Sequence, residues 1–198
     1  MATKINPRFI VLLFMVIVAG CTRFLTVLGH SPMINFTPIG AMALFGGAYF
    51  NQKWKAIVFP LLTLFISDII IEQLFYKGQY GTLLYNGWYI TYGVFVLIVL
   101  VGNLLIKKVS FKNVLMAAVV ASLTHWIVTD FGSWIMGTID LTTGKPYARD
   151  IHGLVNCYVL ALPFLRNFFL GTALYSAVLF GAFELAQLKM PALRLVTK

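Results

Sequence analysis

The sequence predicts an all-α integral membrane protein with six transmembrane helices and both termini on the cytoplasmic side. Three observations carry this. Hydrophobic residues make up 60% of the chain and charged residues 11%, whereas a soluble domain carries about 25% charged residues to cover its surface. The apolar residues fall in long runs, most of them near the roughly 20 residues that cross a hydrocarbon core. The basic residues collect in alternate breaks between these runs, as the positive-inside rule requires. The net charge of +9 is therefore topogenic, and no nucleic-acid partner is expected. The length fits one transmembrane domain, residues 1–198.

The first span covers residues 9–28. Lys4, Arg8 and the run ending Val18-Ala19-Gly20-Cys21 also look like a bacterial lipoprotein signal with Cys21 as lipid acceptor. No flexible polar tether follows Cys21, so the run is read as an ordinary helix. The second span is short, 36–50, and carries Gly40, Ala43 and Gly47 at i, i+3, i+7. Such a stripe packs against a neighbouring helix or docks a partner subunit. Residues 54–75, 88–106 and 114–136 are the third, fourth and fifth spans. The apolar segment 151–165 stops at Pro163 and reads as a re-entrant or interfacial piece, or as part of a longer kinked helix. The last span is 167–188, with Ala173, Ala177 and Gly181 as a second small-residue stripe. Cys21 and Cys157 are too few for a disulfide framework; a single bridge between them stays open.

Orientation follows from the basic residues. With the N-terminus inside, Lys4, Arg8, Lys53, Lys55, Lys107, Lys108, Lys112, Lys189, Arg194 and Lys198 are cytoplasmic, and Lys77, Lys145 and Arg149 are external. Arg23 and Arg166 sit at span ends. The bias puts both termini on the cytoplasmic side.

Depth then sorts the polar residues. Arg23 lies near the external end of the first span, and His30 and Asn35 follow in the first external connection. Asp68 and Glu72 lie in the outer half of the third span, four apart and so on one face. Trp88, preceded by Tyr85 and Asn86, opens the fourth. His125, Asp130 and Trp134 occupy the middle to outer part of the fifth, where Ser122, His125, Thr129 and Gly132 form a stripe and Asp130 lies off it. His152 and Asn156 come from the last external connection, after a Gly144-to-Asp150 stretch expected to be flexible. Only Glu184 sits at the cytoplasmic end. Ionisable groups inside a membrane are costly and point to function. Their one-sided depth predicts an outward-facing cup rather than a pore. Arg23, Asp68, Glu72 and His125 would line it, Trp88 and Trp134 would stack on a planar solute, and His152 and Asn156 would close over it. Plainer roles stand beside these: Arg23 and Arg166 snorkelling, the two Trp in the interfacial belt, and the carboxylates paired with Arg as structural glue.

Several chemistries lack their signatures. Thr143-Gly144-Lys145-Pro146 has neither the first glycine nor the following hydroxyl of a nucleotide-binding loop. No H-E-x-x-H or G-x-S-x-G is present, and no internal repeat of the transporter kind is evident. No catalytic residue and no cofactor are expected. A metal stays open through His30, His125, His152 and Cys157.

The block Asn35-Phe36-Thr37-Pro38-Ile39-Gly40-Ala41-Met42-Ala43-Leu44-Phe45-Gly46-Gly47 resembles the signature of an uncharacterised family of small bacterial membrane proteins. So do Ser67-Asp68, Val128-Thr129-Asp130-Phe131-Gly132-Ser133-Trp134, Gly153-Leu154-Val155-Asn156-Cys157-Tyr158 and Leu162-Pro163-Phe164. That pattern carries Asn at the position of Asp130. The family is similar in architecture to the substrate-binding S components of energy-coupling-factor (ECF) vitamin transporters. The resemblance implies a six-helix bundle binding a small-molecule ligand in an externally facing pocket. It also implies dependence on a transmembrane coupling subunit with ATPases. The expected function is uptake of a small polar solute such as a vitamin by a non-enzymatic membrane subunit. The alternatives are a membrane-embedded metal-dependent enzyme or metal-binding protein, and a structural or assembly protein.

Overall fold

The computed structural model describes residues 6–30, 34–76 and 82–194, the side chains of Thr26 and His30 excepted. In hydrocarbon every backbone N–H needs a partner within its own segment, so the apolar runs become helices. Helix α1 (Pro7–Cys21) is extended by α2 (Arg23–Leu25) and a π-helical turn, Thr26–His30. Helix α3 is Ile39–Tyr49. Helix α4 (Lys53–Ile70) runs into a second π-helical turn, Ile71–Phe75. Helices α5 (Trp88–Leu105) and α6 (Phe111–Met136) follow. A short antiparallel hairpin of β1 (Ile139–Asp140) and β2 (Lys145–Pro146) leads to α7 (Ile151–Leu160) and α8 (Leu162–Lys189).

Five helical runs are long and apolar enough to cross a membrane: Pro7–Gly29, Lys53–Phe75, Trp88–Leu105, Phe111–Met136 and Leu162–Lys189. Their outer faces carry exposed apolar side chains such as Phe14 (65% exposed), Leu104 (63%) and Val178 (58%). A lipid-facing belt has this pattern and a water-facing surface does not. The molecule is thus a multi-pass helical membrane protein.

The second expected span is shorter than the other five. Helix α3 has 11 residues, roughly 16 Å at 1.5 Å per residue, about half of a hydrocarbon core. Ten of those residues are buried, so α3 has no lipid face and forms the centre of the bundle. A helix that is apolar all round belongs in such a place. Its glycines allow backbone-to-backbone packing. A Cβ on Gly47 would sit 2.1 Å from the Val99 carbonyl oxygen of α5, and one on Gly102 would sit 2.5 Å from that of Leu44. Gly40 faces Thr172 and Phe168 of α8, and Gly46 faces Pro60 of α4. The Gly40–Ala43–Gly47 stripe is therefore internal packing. On α8, by contrast, Ala177 and Gly181 are exposed, and nothing lies within 4 Å of a Cβ added at Gly181.

Other boundaries shift for local reasons. Helix α6 starts at Phe111 because the Ser110 side chain accepts a hydrogen bond from the Asn113 N–H (3.2 Å) and caps it. Helix α8 starts at Leu162, with Pro163 in the first turn, where a missing N–H is harmless. Only Ala161 separates α7 from α8, so 151–189 is a kinked helical run, one of the two readings its sequence left open.

At the end of the bundle holding both termini, Arg8 is buried. Its guanidinium donates to the carbonyls of Leu193 (2.6 Å) and Tyr49 (3.3 Å) and to Gln187 Oε1 (3.2 Å), and lies over the rings of Tyr49 and Phe183. The Tyr49 hydroxyl donates to Glu184. Arg8, counted from sequence among the cytoplasmic basic residues, ties α1 to α3 and α8. Both cysteines are free thiols, Cys21 exposed and Cys157 buried.

Candidate functional site

At the opposite end, α2, α4, α5, α6 and α8 surround a cavity of about 680 Å³. The 34–37 segment also borders it. That segment is held on α8 by the Asn167 Nδ2 donating to the Ile34 carbonyl (2.9 Å). Gly171 permits this close approach, since a Cβ there would lie 2.8 Å from the Thr37 nitrogen. Asn35 takes a left-handed backbone, φ +66°, which Asn tolerates better than most residues.

One wall is an ion-pair network. The Arg23 guanidinium meets Asp68 Oδ1 at 2.6 Å and also donates to Ser67 Oγ and the Leu64 carbonyl. Asp68 Oδ2 accepts from the Tyr92 hydroxyl at 2.9 Å. Asp68 is 4% exposed, so these partners replace the water it has lost. One turn on, Glu72 is 3% exposed and its Oε1 has no hydrogen-bond partner among the described residues. Glu72 sits in the π-helical turn that extends α4, a local irregularity common at functional sites.

The facing wall comes from α6 and α8. His125, Thr129, Asp130 and Ser133 line it, spaced i, i+4, i+5 and i+8 along α6. The His125 ring stacks on Phe168 (centroids 4.2 Å apart, planes 18°) and lies 5.8 Å from Phe95. No described residue hydrogen-bonds the His125 ring or the Asp130 carboxylate. Tyr85 lines the cavity just ahead of α5. Burial, and then the negative charge of Asp68, push its phenol up to about 12, so it stays a neutral hydroxyl.

Of the residues singled out from sequence, Arg23, Asn35, Asp68, Glu72, His125 and Asp130 border this one cavity. His30 closes the π-helical turn after α2, and its side chain lies outside the described residues. Four are placed elsewhere. Trp88 is exposed and meets Tyr92 edge-on. Trp134 donates its indole N–H to the Ala148 carbonyl (2.8 Å), as Trp126 does to Tyr158 (3.3 Å). These bonds turn both rings toward the 148–160 segment. His152 is exposed on α7. Asn156 donates to Asp140 Oδ2 (2.9 Å) and fixes the hairpin to α7. The Asn156 amide is thus engaged by the hairpin. Asp140 accepts from the Thr142 N–H and hydroxyl, and these bonds hold its carboxyl below the usual range. Asp150 caps α7 through the Gly153 N–H (2.7 Å).

Sequence reasoning missed Tyr92, Thr91, Phe95 and Phe168. Tyr92 meets Asp68 only because α4 and α5 pack side by side, and no spacing along the chain encodes that. Phe168 reads as one more apolar residue of a span until α8 is set against α6. Among the described residues, no three His, Cys, Asp or Glu side chains gather as a metal site.

The model of one protein family, described as "Family of unknown function (DUF6580)", matches residues 3–193, and the chain belongs to that family. No curated protein and no solved structure matches it.

Proposed function

We propose that this DUF6580 protein is a substrate-binding membrane subunit for uptake of a small polar solute, working in the manner of an ECF S component. The observation that supports it most is the cavity. Its volume lies within the few hundred to a thousand cubic ångströms usual for small-molecule sites. It sits at one end of the bundle, opposite both termini, and half of the chain's six carboxylates border it. A pore would need polar groups through the full depth. Here the middle of the bundle is filled by apolar side chains such as Met42, Leu44, Phe45 and Ile98.

In this reading α3 counts as a sixth, incomplete membrane segment. The termini are cytoplasmic, the cavity opens to the outside, and the membrane is the bacterial inner one. The sequence carries no nucleotide loop, so ATP-driven uptake in this manner needs a coupling subunit with ATPases. With the α3 stripe buried, the face left for that subunit is the Ala173–Ala177–Gly181 side of α8.

The test is purification in mild detergent followed by mass spectrometry of bound small molecules. A bound molecule is expected, and its occupancy should fall in His125→Ala while the thermal unfolding temperature stays near wild type. An empty protein, unresponsive in a thermal-shift screen of vitamins and related polar metabolites, would remove the binding-subunit reading.

A further inference from the structure

The charges around the cavity are unequal, and the inequality is specific to it. Asp68, Glu72 and Asp130 border it against the single cation Arg23, a formal surplus of two negative charges among the described lining residues. The chain as a whole is the reverse, with 15 Lys and Arg to 6 Asp and Glu. A random sampling of this chain's charges would give a basic cavity.

Arg23 is already paired. Its guanidinium spends three of its five N–H donors on Asp68, Ser67 and the Leu64 carbonyl, and the Asp68 carboxylate offsets its charge. Glu72 is the opposite case. It is 3% exposed, it borders the cavity, and its Oε1 lacks a partner among the described residues. Burying an ionised carboxylate with neither counter-charge nor full hydrogen bonding is strongly unfavourable. Asp130, across the cavity, likewise lacks a side-chain partner among the described residues. The His125 ring, stacked on the buried Phe168 and backed by the buried Phe95, supplies what carboxylates cannot, an aromatic surface beside the cavity on which an organic body rests.

We infer that the ligand is an organic cation, a molecule with an ammonium or cationic ring nitrogen beside an apolar or planar body, whose charge is met by Glu72 with Asp130 opposite. The inference rests on the binding-subunit reading and gives its substrate class. The size of the cavity suits such a molecule rather than a bare metal ion.

The test compares three probes of similar size and different charge: benzyltrimethylammonium, benzyl alcohol and benzoate. Binding to the detergent-purified full chain is measured by thermal shift and isothermal titration calorimetry. Benzyltrimethylammonium should bind best and benzoate worst. Glu72→Gln keeps the shape and removes the charge, and should weaken the cation by about tenfold or more while leaving benzyl alcohol unchanged. Because the variant keeps the shape of a buried side chain and removes its charge, it should fold as well as wild type without ligand. His152→Ala, away from the cavity, is the control and should bind the cation normally. Preference for benzoate or benzyl alcohol, response to Zn²⁺ but to no organic cation, or a Glu72→Gln variant that binds the cation undiminished would each overturn the inference. In the first of these outcomes the binding-subunit reading survives. That reading falls too only if no probe binds and no small molecule co-purifies.

Discussion

Removing Asp68 tests the network that walls the cavity. Asp68→Ala takes away an ion pair at 2.6 Å and the acceptor of the Tyr92 hydroxyl at 2.9 Å, both on a carboxylate 4% exposed. It leaves the Arg23 charge, itself 15% exposed, with Ser67 and one carbonyl. Breaking one half of a buried pair costs about 3–5 kcal/mol, mainly because the surviving charge stays buried. The orphaned tyrosine hydroxyl adds to this, up to about 1–3 kcal/mol where no water replaces its partner. Equilibrium unfolding by SDS in mixed micelles reads the loss. Arg23→Met with Asp68→Leu removes both charges and should recover most of it, to within about 1–2 kcal/mol of wild type, since a well-packed apolar pair replaces a buried ion pair at little net cost. Ligand binding then separates glue from function: a double variant that is stable and still binds ligand makes the pair structural. An Asp68→Ala loss below about 1 kcal/mol would refute the reasoning, because it would mean that water or another cation already screens the pair.

Gly47→Ala and Gly102→Ala place a methyl against backbone at 2.1 and 2.5 Å. Each should destabilise by at least about 1–3 kcal/mol in the same SDS titration, while Gly181→Ala, in open space, should be neutral or gain up to about 1 kcal/mol. Asp140 is held by Thr142 and Asn156 with its carboxyl depressed. Its contribution is therefore present above the ordinary carboxylate value of about 4 and lost as pH falls through the lower folded value. Amide exchange at Thr142, followed from pH 6 down to 2, should show the loop opening at the acid end, and Asp140→Asn should abolish the step. Reporter fusions after residue 198 and near residue 109 should both report cytoplasm, and an external signal at either would end the proposed orientation.

The sequence alone determined the membrane class, because a chain with 11% charged residues cannot cover a water-facing surface. It also determined the one-sided distribution of polar groups, because residues on consecutive antiparallel spans have a readable depth. From that depth Arg23, Asp68, Glu72, His125 and Asp130 were legible as one group. Only the tertiary structure decided the place of α3. Its hydrophobic run is continuous with the look of a span, and its burial follows from glycine contacts with α5 that involve residues more than fifty positions away. The same holds for Trp134, Asn156 and Tyr92. Depth put the first two at the cup, but an indole N–H and an amide each took a nearer hydrogen-bond partner in the 140–148 segment. Tyr92 gained its role from the helix beside it. Depth is a property of position along one span. Which way a side chain faces depends on which helices pack against which, and that is set by the whole bundle.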